Sequence, residues 1–420
     1  MEEKKGFWKG LVAGLMISIL ICGMIIAGKQ IYTLVGLLAE QKAASAQSDA
    51  SDTEAATDST STSFIDDSAT INKMQTLESL IDDYYYLDAV DDNALREGAY
   101  KGIFEALGDP YSVYYTADEF NALMEQTEGI YYGIGAYIST NPDTNITMIS
   151  GVIAGTPAEE AGLLAGDQIY EVDGEDVTGL TSEEVVAKIK GEEGTTVVLT
   201  IYREGELNTK EFDIVRAKIE SPTVTYKMYD DKIAYIGIME FDEVTLDQFT
   251  EALKNAKNDG MLGLVLDLRD NPGGNLNIVN DIARQILPKG LIVYTEDKNG
   301  KREEYTCDGK NELTVPMVVL VNGNSASASE ILAGAIKDYK KGTLLGTTTY
   351  GKGIVQRIIG LEDGSAVKIT VSTYFTPNGN NIHKIGITPD EVLEFDADKY
   401  VSDGYDNQLE RALEIIRTGK

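Results

Sequence analysis

Three short segments carry residue types that acyl-transfer chemistry uses. Asn324-Ser325-Ala326-Ser327-Ala328-Ser329-Glu330 follows the apolar run 317–321 and opens a helical pattern whose apolar face is Ile331, Leu332, Ala335, Ile336 and Tyr339. A serine at a helix start sits where partly positive N–H groups converge, which favours a developing oxyanion. The same spacing, Ser327-x-x-Glu330, is also an ordinary capping box. Tyr350-Gly351-Lys352-Gly353-Ile354-Val355-Gln356 places a lysine between glycines. Exposed, it is a loop residue; buried beside a serine, it loses its charge through desolvation and accepts the serine proton. For that, its reference pKa of about 10.4 must fall by several units. Gln356 is four positions on; on a strand that spacing would put it on the same face as Lys352, where its amide could orient the amine. Leu266-Asp267-Leu268-Arg269-Asp270-Asn271-Pro272-Gly273-Gly274 runs from a strand into a turn. Read plainly it is a loop; read chemically, Gly273 and Gly274 expose backbone N–H groups without side-chain obstruction, as an oxyanion hole needs.

The composition narrows the alternatives. His383 is the single histidine, no HExxH motif occurs, and the two cysteines are Cys22 and Cys307. Multi-histidine zinc sites are excluded, a Ser-His-Asp or Cys-His mechanism has only His383 to use, and no disulfide framework is available. With 36 basic against 69 acidic residues the net charge is −33. Such a chain repels phosphate backbones, so nucleic acid is not expected as a partner; the plain meaning of the charge is solubility.

The elements that must position these segments follow from periodicity. Beyond residue 218 the short apolar runs 233–239, 262–268, 291–294 and 317–321 suit strands buried on both faces, with helical stretches 246–256 and 276–287 between them, predicting an α/β domain. Residues 129–216 differ: strands at 146–152, 168–172 and 196–202, a helical turn at 157–162, an Asp173-Gly174 hairpin signal, and a capping box at Thr181 opening a helix over 183–190. From residue 71 to about 120 the pattern is helical, with a second helix over 93–107 stopped by Gly108-Asp109-Pro110. Residues 40–63 are rich in Ala, Ser, Thr, Asp and Gln and read as a flexible tether. Residues 10–28 are uncharged and preceded by Lys4, Lys5 and Lys9, which predicts a retained membrane anchor with the N-terminus cytoplasmic; a cleaved signal peptide is the competing reading.

Together these segments resemble the carboxyl-terminal processing, or tail-specific, serine proteases. That family pairs a SASASE-type segment with the lysine of a GKG-x-x-Q motif 25 residues after the nucleophile. Here 352 − 327 gives the same 25, which selects Ser327 among the three serines. The resemblance implies Ser327 as nucleophile, Lys352 as base, Gln356 as the residue positioning the lysine, and an oxyanion hole from the backbone of Ala328 and of Gly273 or Gly274. It extends over residues 70–418, through segments such as Glu97-Gly98-Ala99-Tyr100-Lys101-Gly102, Gly108-Asp109-Pro110-Tyr111-Ser112 and Thr376-Pro377-Asn378-Gly379. His383 falls where the family implies no functional residue.

The resemblance makes 129–216 a PDZ domain. Its loop Tyr132, Gly133, Ile134 and Gly135 would receive a peptide's C-terminal carboxylate, and the peptide would add as a strand beside 136–139. The expected fold class is therefore α/β: a crotonase-like protease core with an α+β PDZ domain, an N-terminal helical region and a single transmembrane helix. The expected division is a cytoplasmic tail 1–9, an anchor 10–38, a tether 40–69, a helical region 70–125, a PDZ domain 126–216 and a protease core with C-terminal helix 217–420. Expected partners are protein substrates with apolar C-termini, the cell membrane through the anchor, and a second copy in a homodimer built partly from helices within 71–107. The catalytic portion is expected outside the cytoplasm, and no metal or organic cofactor is implied. Two rivals remain at this point: a catalytically dead PDZ scaffold, and a crotonase-like acyl-thioester enzyme.

Overall fold

The computed structural model describes residues 63–65 and 67–419. Two compact units divide the chain, Met1–Ala89 and Val90–Lys420. In the first, the helix Ser68–Tyr84 starts on Asp67, whose side chain accepts the Ala69 N–H. It buries none of its residues, and Ile71, Met74, Leu77 and Leu80 stay exposed at three- and four-residue spacing.

Among the described residues no helix is long and apolar enough to cross a membrane. This overturns the expected transmembrane helix and the membrane localisation built on it. Ser68–Tyr84, the longest described helix, has 17 residues and carries Lys73, Glu78, Asp82 and Asp83, whereas a span needs about 20 predominantly apolar residues. The segment 10–38 on which the expectation rested lies outside the described residues, as do the tail 1–9 and most of the tether 40–69.

The second unit is organised around a six-stranded sheet, in the order Val224–Met228, Ile233–Ile238, Gly263–Asp267, Met317–Val321, Thr343–Gly346 and Glu391–Val392. The first pair is antiparallel and the rest are parallel. Gly263–Asp267 and Met317–Val321 are buried at every position, as parallel strands covered on both faces must be. Alternate residues serve opposite sides. Leu264, Leu266 and Val319 join a core with Phe249, Leu253, Ile282 and Ile336 from three helices, while Val265, Val318 and Leu320 pack with Ala412 and Leu413 of the helix Asn407–Thr418.

A second sheet is centred on the long strand Ala366–Phe375. Ile354–Gly360 pairs along it, and Val113–Tyr115 and Gly290–Asp297 also pair with it, the latter carrying Arg302–Cys307. Two expectations change here. The apolar run 291–294 belongs to this antiparallel sheet rather than the parallel one, and only Ile292 and Val293 within it are buried. Val113–Tyr115 interrupts the stretch read as helical; three residues hold no legible period, and this strand exists because Ala366–Phe375 offers it a partner.

The third sheet runs Ala136–Thr140, Thr147–Val152, Gln168–Val172, Thr196–Tyr202, Lys210–Val215. With the helix Ser182–Ile189, capped by Thr181, it encloses its own core of Ile149, Ile169, Val185, Leu199 and Ile214. The chain enters this module through Ile130–Gly133 and leaves through Ala217–Glu220, which pair antiparallel. At their base Ser221 donates its N–H to Gly129 O at 2.8 Å. An α/β core carrying a separate α+β module agrees with the expected architecture.

Candidate active site

The three neighbouring serines of 325–329 separate by what their hydroxyls do. Ser325 Oγ donates to Leu268 O at 2.7 Å and Ser329 Oγ donates to Asn271 O at 3.0 Å, and both side chains are fully buried. Ser327 precedes the helix Ala328–Asp338; Glu330 N–H donates to its carbonyl oxygen at 2.9 Å, and no hydrogen bond to or from its Oγ is found among the described residues. It lines a cavity of about 1660 Å³, together with Gly273, Gly274, Ala328, Lys352 and Gln356. That volume exceeds the roughly 300–1,000 Å³ of a small-molecule pocket and suits an extended chain.

Ser327 has φ 54° and ψ −112°, a combination that a residue with a β-carbon adopts at a cost of about 1–3 kcal/mol. The surroundings hold it there. Ala326 N–H donates to Asn271 O at 3.0 Å, Tyr374 Oη donates to Ser327 O at 3.0 Å, and Ser327 N–H donates to Glu330 Oε2 at 2.9 Å. Burial drives the Tyr374 hydroxyl well above its ordinary pKa, so it remains a neutral donor.

Glu330, completely buried, does more than the capping pattern suggested. Besides Ser327 N–H it accepts Lys352 N–H at 2.9 Å, Gly351 N–H at 2.7 Å and Thr349 Oγ1–H at 2.6 Å. The segments bearing Ser327 and Lys352 therefore converge on one carboxylate. Backbone room makes this possible: a β-carbon on Gly353 would lie 2.7 Å from His383 N.

Lys352 is half-buried, and burial, followed by the charge of Lys368, holds its ammonium below the usual lysine pKa; Asp109 and Glu330 pull the other way. Its Nζ lies 4.6 Å from the centre of the Tyr111 ring, a cation–π contact. Tyr111 Oη donates to Tyr350 Oη at 3.3 Å; this bond and burial push its pKa up to about 12, leaving a neutral ring. No hydrogen bond among the described residues joins Lys352 Nζ to Ser327 or Gln356. Gln356 Nε2 instead donates to Thr370 Oγ1 at 3.2 Å.

The glycine turn meets the segment around Ser327 backbone to backbone. A β-carbon on Gly273 (φ 112°) would lie 2.8 Å from Ala326 O and 3.0 Å from Ala328 N, and one on Gly274 (φ 139°) 2.5 Å from Phe241 O. Gly273 N–H donates to Asn271 Oδ1 at 2.8 Å, whereas the N–H groups of Gly274 and Ala328 take no hydrogen bond among the described residues. The turn is fixed from behind by Arg269, which bridges Asp267 (2.6 Å) and Asp406 (2.8 Å), and by Asp270, which accepts from Asn322 and Asn324.

Far from these residues in the chain, Gly133, Ile134 and Gly135 are buried and Tyr132 is exposed. The carbonyls of Ile134 and Gly135 accept from Ala158 N–H and Ile153 N–H, while their own N–H groups carry no hydrogen bond among the described residues. Gly135 has φ 83°, and a β-carbon there would lie 2.3 Å from Thr156 Cβ. Ala136–Thr140, which follows, is an edge strand of its sheet.

Sequence reasoning missed the roles of Asp109, Tyr111, Asn271 and Tyr374 and read Glu330 only as a cap. The Gly108-Asp109-Pro110-Tyr111-Ser112 run was visible as a helix breaker, but nothing local tells that it packs on a lysine 241 positions later (352 − 111). His383 Nδ1 is buried without a hydrogen-bond partner among the described residues.

Comparison with known proteins is consistent across the chain. Residues 232–393 match the model of peptidase family S41, residues 148–203 that of a PDZ domain, and residues 24–119 that of the activating protease CtpB N-terminal domain. A carboxyl-terminal-processing protease of Synechocystis sp. is 38% identical over 333 residues, covering 77% of this chain and 78% of that protein. The carboxy-terminal processing protease CtpA of Bacillus subtilis is 38% identical over 337 residues, covering 78% and 71%. Among solved structures, a photosystem II D1 C-terminal processing protease is 32% identical, covering 77% of this chain and 88% of its own with a TM-score of 0.45.

Proposed function

The chain belongs to peptidase family S41 and is a carboxyl-terminal processing serine protease with a PDZ domain, and from that premise we propose that it cuts by a Ser327–Lys352 mechanism near substrate tails held by the PDZ module. Ser327 Oγ attacks the peptide carbonyl while the neutral Lys352 amine takes its proton. The tetrahedral oxyanion is stabilised by Ala328 N–H and the glycine turn, where Gly274 N–H is the unengaged donor and Gly273 permits the close approach. The protonated lysine then returns its proton to the leaving amine, and water hydrolyses the acyl-enzyme. Gln356 orients Lys352. The division into a helical region 70–125, a PDZ domain 126–216 and a core 217–420 is part of the same reading.

One observation carries it: Ser325 and Ser329 spend their hydroxyls on backbone carbonyls, whereas the Ser327 hydroxyl has no hydrogen bond among the described residues and lines the cavity that also holds a half-buried lysine of lowered pKa. For tail recognition, the support is the pair of unengaged N–H groups at Ile134 and Gly135 beside the edge strand Ala136–Thr140, the arrangement that β-augmentation uses. An apolar, unstructured C-terminus would add along that edge with its carboxylate on the loop. The exposed stripe Ile71, Met74, Leu77 and Leu80 supports a homodimer that covers it.

The test is hydrolysis of an unstructured peptide with an apolar tail, offered with a free C-terminus and as the C-terminal amide. We expect the amide to be cut at least about tenfold less efficiently, the order expected for losing a charge-assisted contact. Ser327→Ala and Lys352→Ala should abolish cleavage of both. Activity in either variant refutes the mechanism, and equal cleavage of the two peptides refutes the carboxylate loop.

A further inference from the structure

Gln356 and Thr370 face each other on neighbouring strands, and Asp109 meets Thr370 from the turn before a third. Ile354–Gly360 pairs with Ala366–Phe375 so that Gln356 stands opposite Thr370, directly after a register shift between Val355 and Gln356. Val113–Tyr115 pairs with Ala366–Phe375, with Val113 opposite Lys368, which brings the preceding turn, 109–112, against Thr370. Hydrogen bonds join the three. Gln356 Nε2 donates to Thr370 Oγ1 at 3.2 Å, and Thr370 Oγ1 donates to Asp109 Oδ2 at 2.7 Å. Ser112 Oγ donates to the same Oδ2 at 2.6 Å and accepts Thr370 N–H at 3.0 Å, while Tyr111 N–H donates to Asp109 Oδ1 at 3.0 Å.

The group at the far end sets the direction of the whole chain. Burial opposes the charge on Asp109, but the bonds from Ser112 and Thr370 hold its carboxyl below its ordinary pKa, so at neutral pH it is an acceptor only. Thr370 has one hydroxyl proton, which goes to Asp109, and its remaining lone pairs only accept. Gln356 must therefore turn its NH₂ to Thr370, and its carbonyl oxygen accepts no hydrogen bond among the described residues. Without this constraint the two ends of the amide are nearly interchangeable in shape.

We propose that Asp109 is a positioning residue for the base: acting through Thr370, it fixes the Gln356 amide with its carbonyl oxygen available to Lys352. The neutral lysine donates one N–H to that oxygen and turns its lone pair toward the Ser327 hydroxyl proton. A flipped amide would present N–H groups to Lys352 and compete for that lone pair. The proposal rests on the Ser327–Lys352–Gln356 reading given above.

The test compares kcat and KM of the full chain on a free-tailed apolar peptide for Asp109→Asn, Thr370→Val and Thr370→Ser, with thermal melts to confirm folding. Thr370→Val should lower kcat about 10–100-fold, the scale of a small misplacement of a reacting group, with KM within about twofold. Thr370→Ser keeps the hydroxyl and should restore most of kcat. Asp109→Asn is the sharper variant. Removing its negative charge leaves Lys352 easier to deprotonate, so electrostatics alone would raise the rate near neutral pH, whereas loss of the relay lowers kcat. In a Gln356→Ala background, Thr370→Val should add less than about a twofold further loss, because a residue acting through Gln356 has nothing left to act on. An unchanged or raised kcat in Asp109→Asn, or an undiminished Thr370→Val effect without Gln356, overturns the relay. If Gln356→Ala itself leaves kcat intact while Ser327→Ala abolishes it, the underlying role of Gln356 fails and the relay fails with it.

Discussion

Ser327 and Lys352 donate their backbone N–H groups to the same oxygen, Oε2 of Glu330, each at 2.9 Å. The two residues proposed as nucleophile and base are thus registered to each other through the main chain, so their spacing does not depend on a direct bond between their side chains. Glu330→Gln keeps the shape but supplies one acceptor oxygen where four donors converge. Each orphaned buried donor costs about 1–3 kcal/mol. We expect peptide hydrolysis to fall by roughly 100-fold or more and the melting temperature to drop by several degrees. A variant that melts and cuts like the parent would show that the shared oxygen is dispensable.

Lys368 lowers the Lys352 pKa by like-charge repulsion. In the proposed mechanism Lys352 must be neutral to accept a proton, so activity should rise with pH through the Lys352 ionisation. Lys368→Met removes the repulsion, raises that pKa and moves the rising limb of kcat/KM to higher pH, with the largest loss of rate on its acid side. A pH profile of both proteins measures this, and a shift toward acid would contradict it.

Gly273 approaches Ser327 Cβ so closely that a methyl group there would lie 2.8 Å from it, at φ 112°. Gly273→Ala must displace the turn or Ser327. Backbone strain alone is about 1–3 kcal/mol, and we expect kcat to fall at least about 100-fold while peptide affinity at the PDZ module is unaffected. Binding of a free-tailed peptide, followed by fluorescence anisotropy, separates the two effects.

Asp242, almost wholly buried on the cavity wall, has its carboxyl pushed up to about 7 by burial and then by Glu240. An acid whose folded pKa is raised favours the fold while protonated. That contribution is complete below the unfolded value near 3.9 and is lost as pH rises to about 7. Asp242→Asn should therefore melt at a temperature that falls less between pH 4 and 7 than the parent does. Parallel melting curves across that range would refute the assignment.

Most of the scaffold was legible because its strands are buried on both faces or strictly paired. The runs 168–172, 196–202 and 317–321 coincide with strands, and Asp173-Gly174, with φ of 54° and 79°, forms the hairpin turn its residues demand. The spacing of Ser327, Lys352 and Gln356 was equally visible. What the sequence concealed is what depends on tertiary encounter. Val113–Tyr115 is too short to carry a period, and Tyr111 gains its meaning only from Lys352. Glu330 looked local because its nearest partner is three residues away, while its other partners arrive from 349–352. The apolar segment 10–38 was the loudest hydropathy signal, yet the described helices include no membrane span.

The pairing of Ile130–Gly133 with Ala217–Glu220, closed by Ser221 N–H on Gly129 O, means that residues 130–220 depart from the core and return to almost the same point. Such an excursion imposes little on the parent chain, since the join it leaves behind is about one hydrogen bond wide. Excision with a short bridging link would make no demand on the six-stranded sheet, and a different module with equally close termini would graft onto the same stump. If the module selects substrate tails as proposed, exchanging it at this stump would change that choice while leaving the Ser327 and Lys352 segments in place.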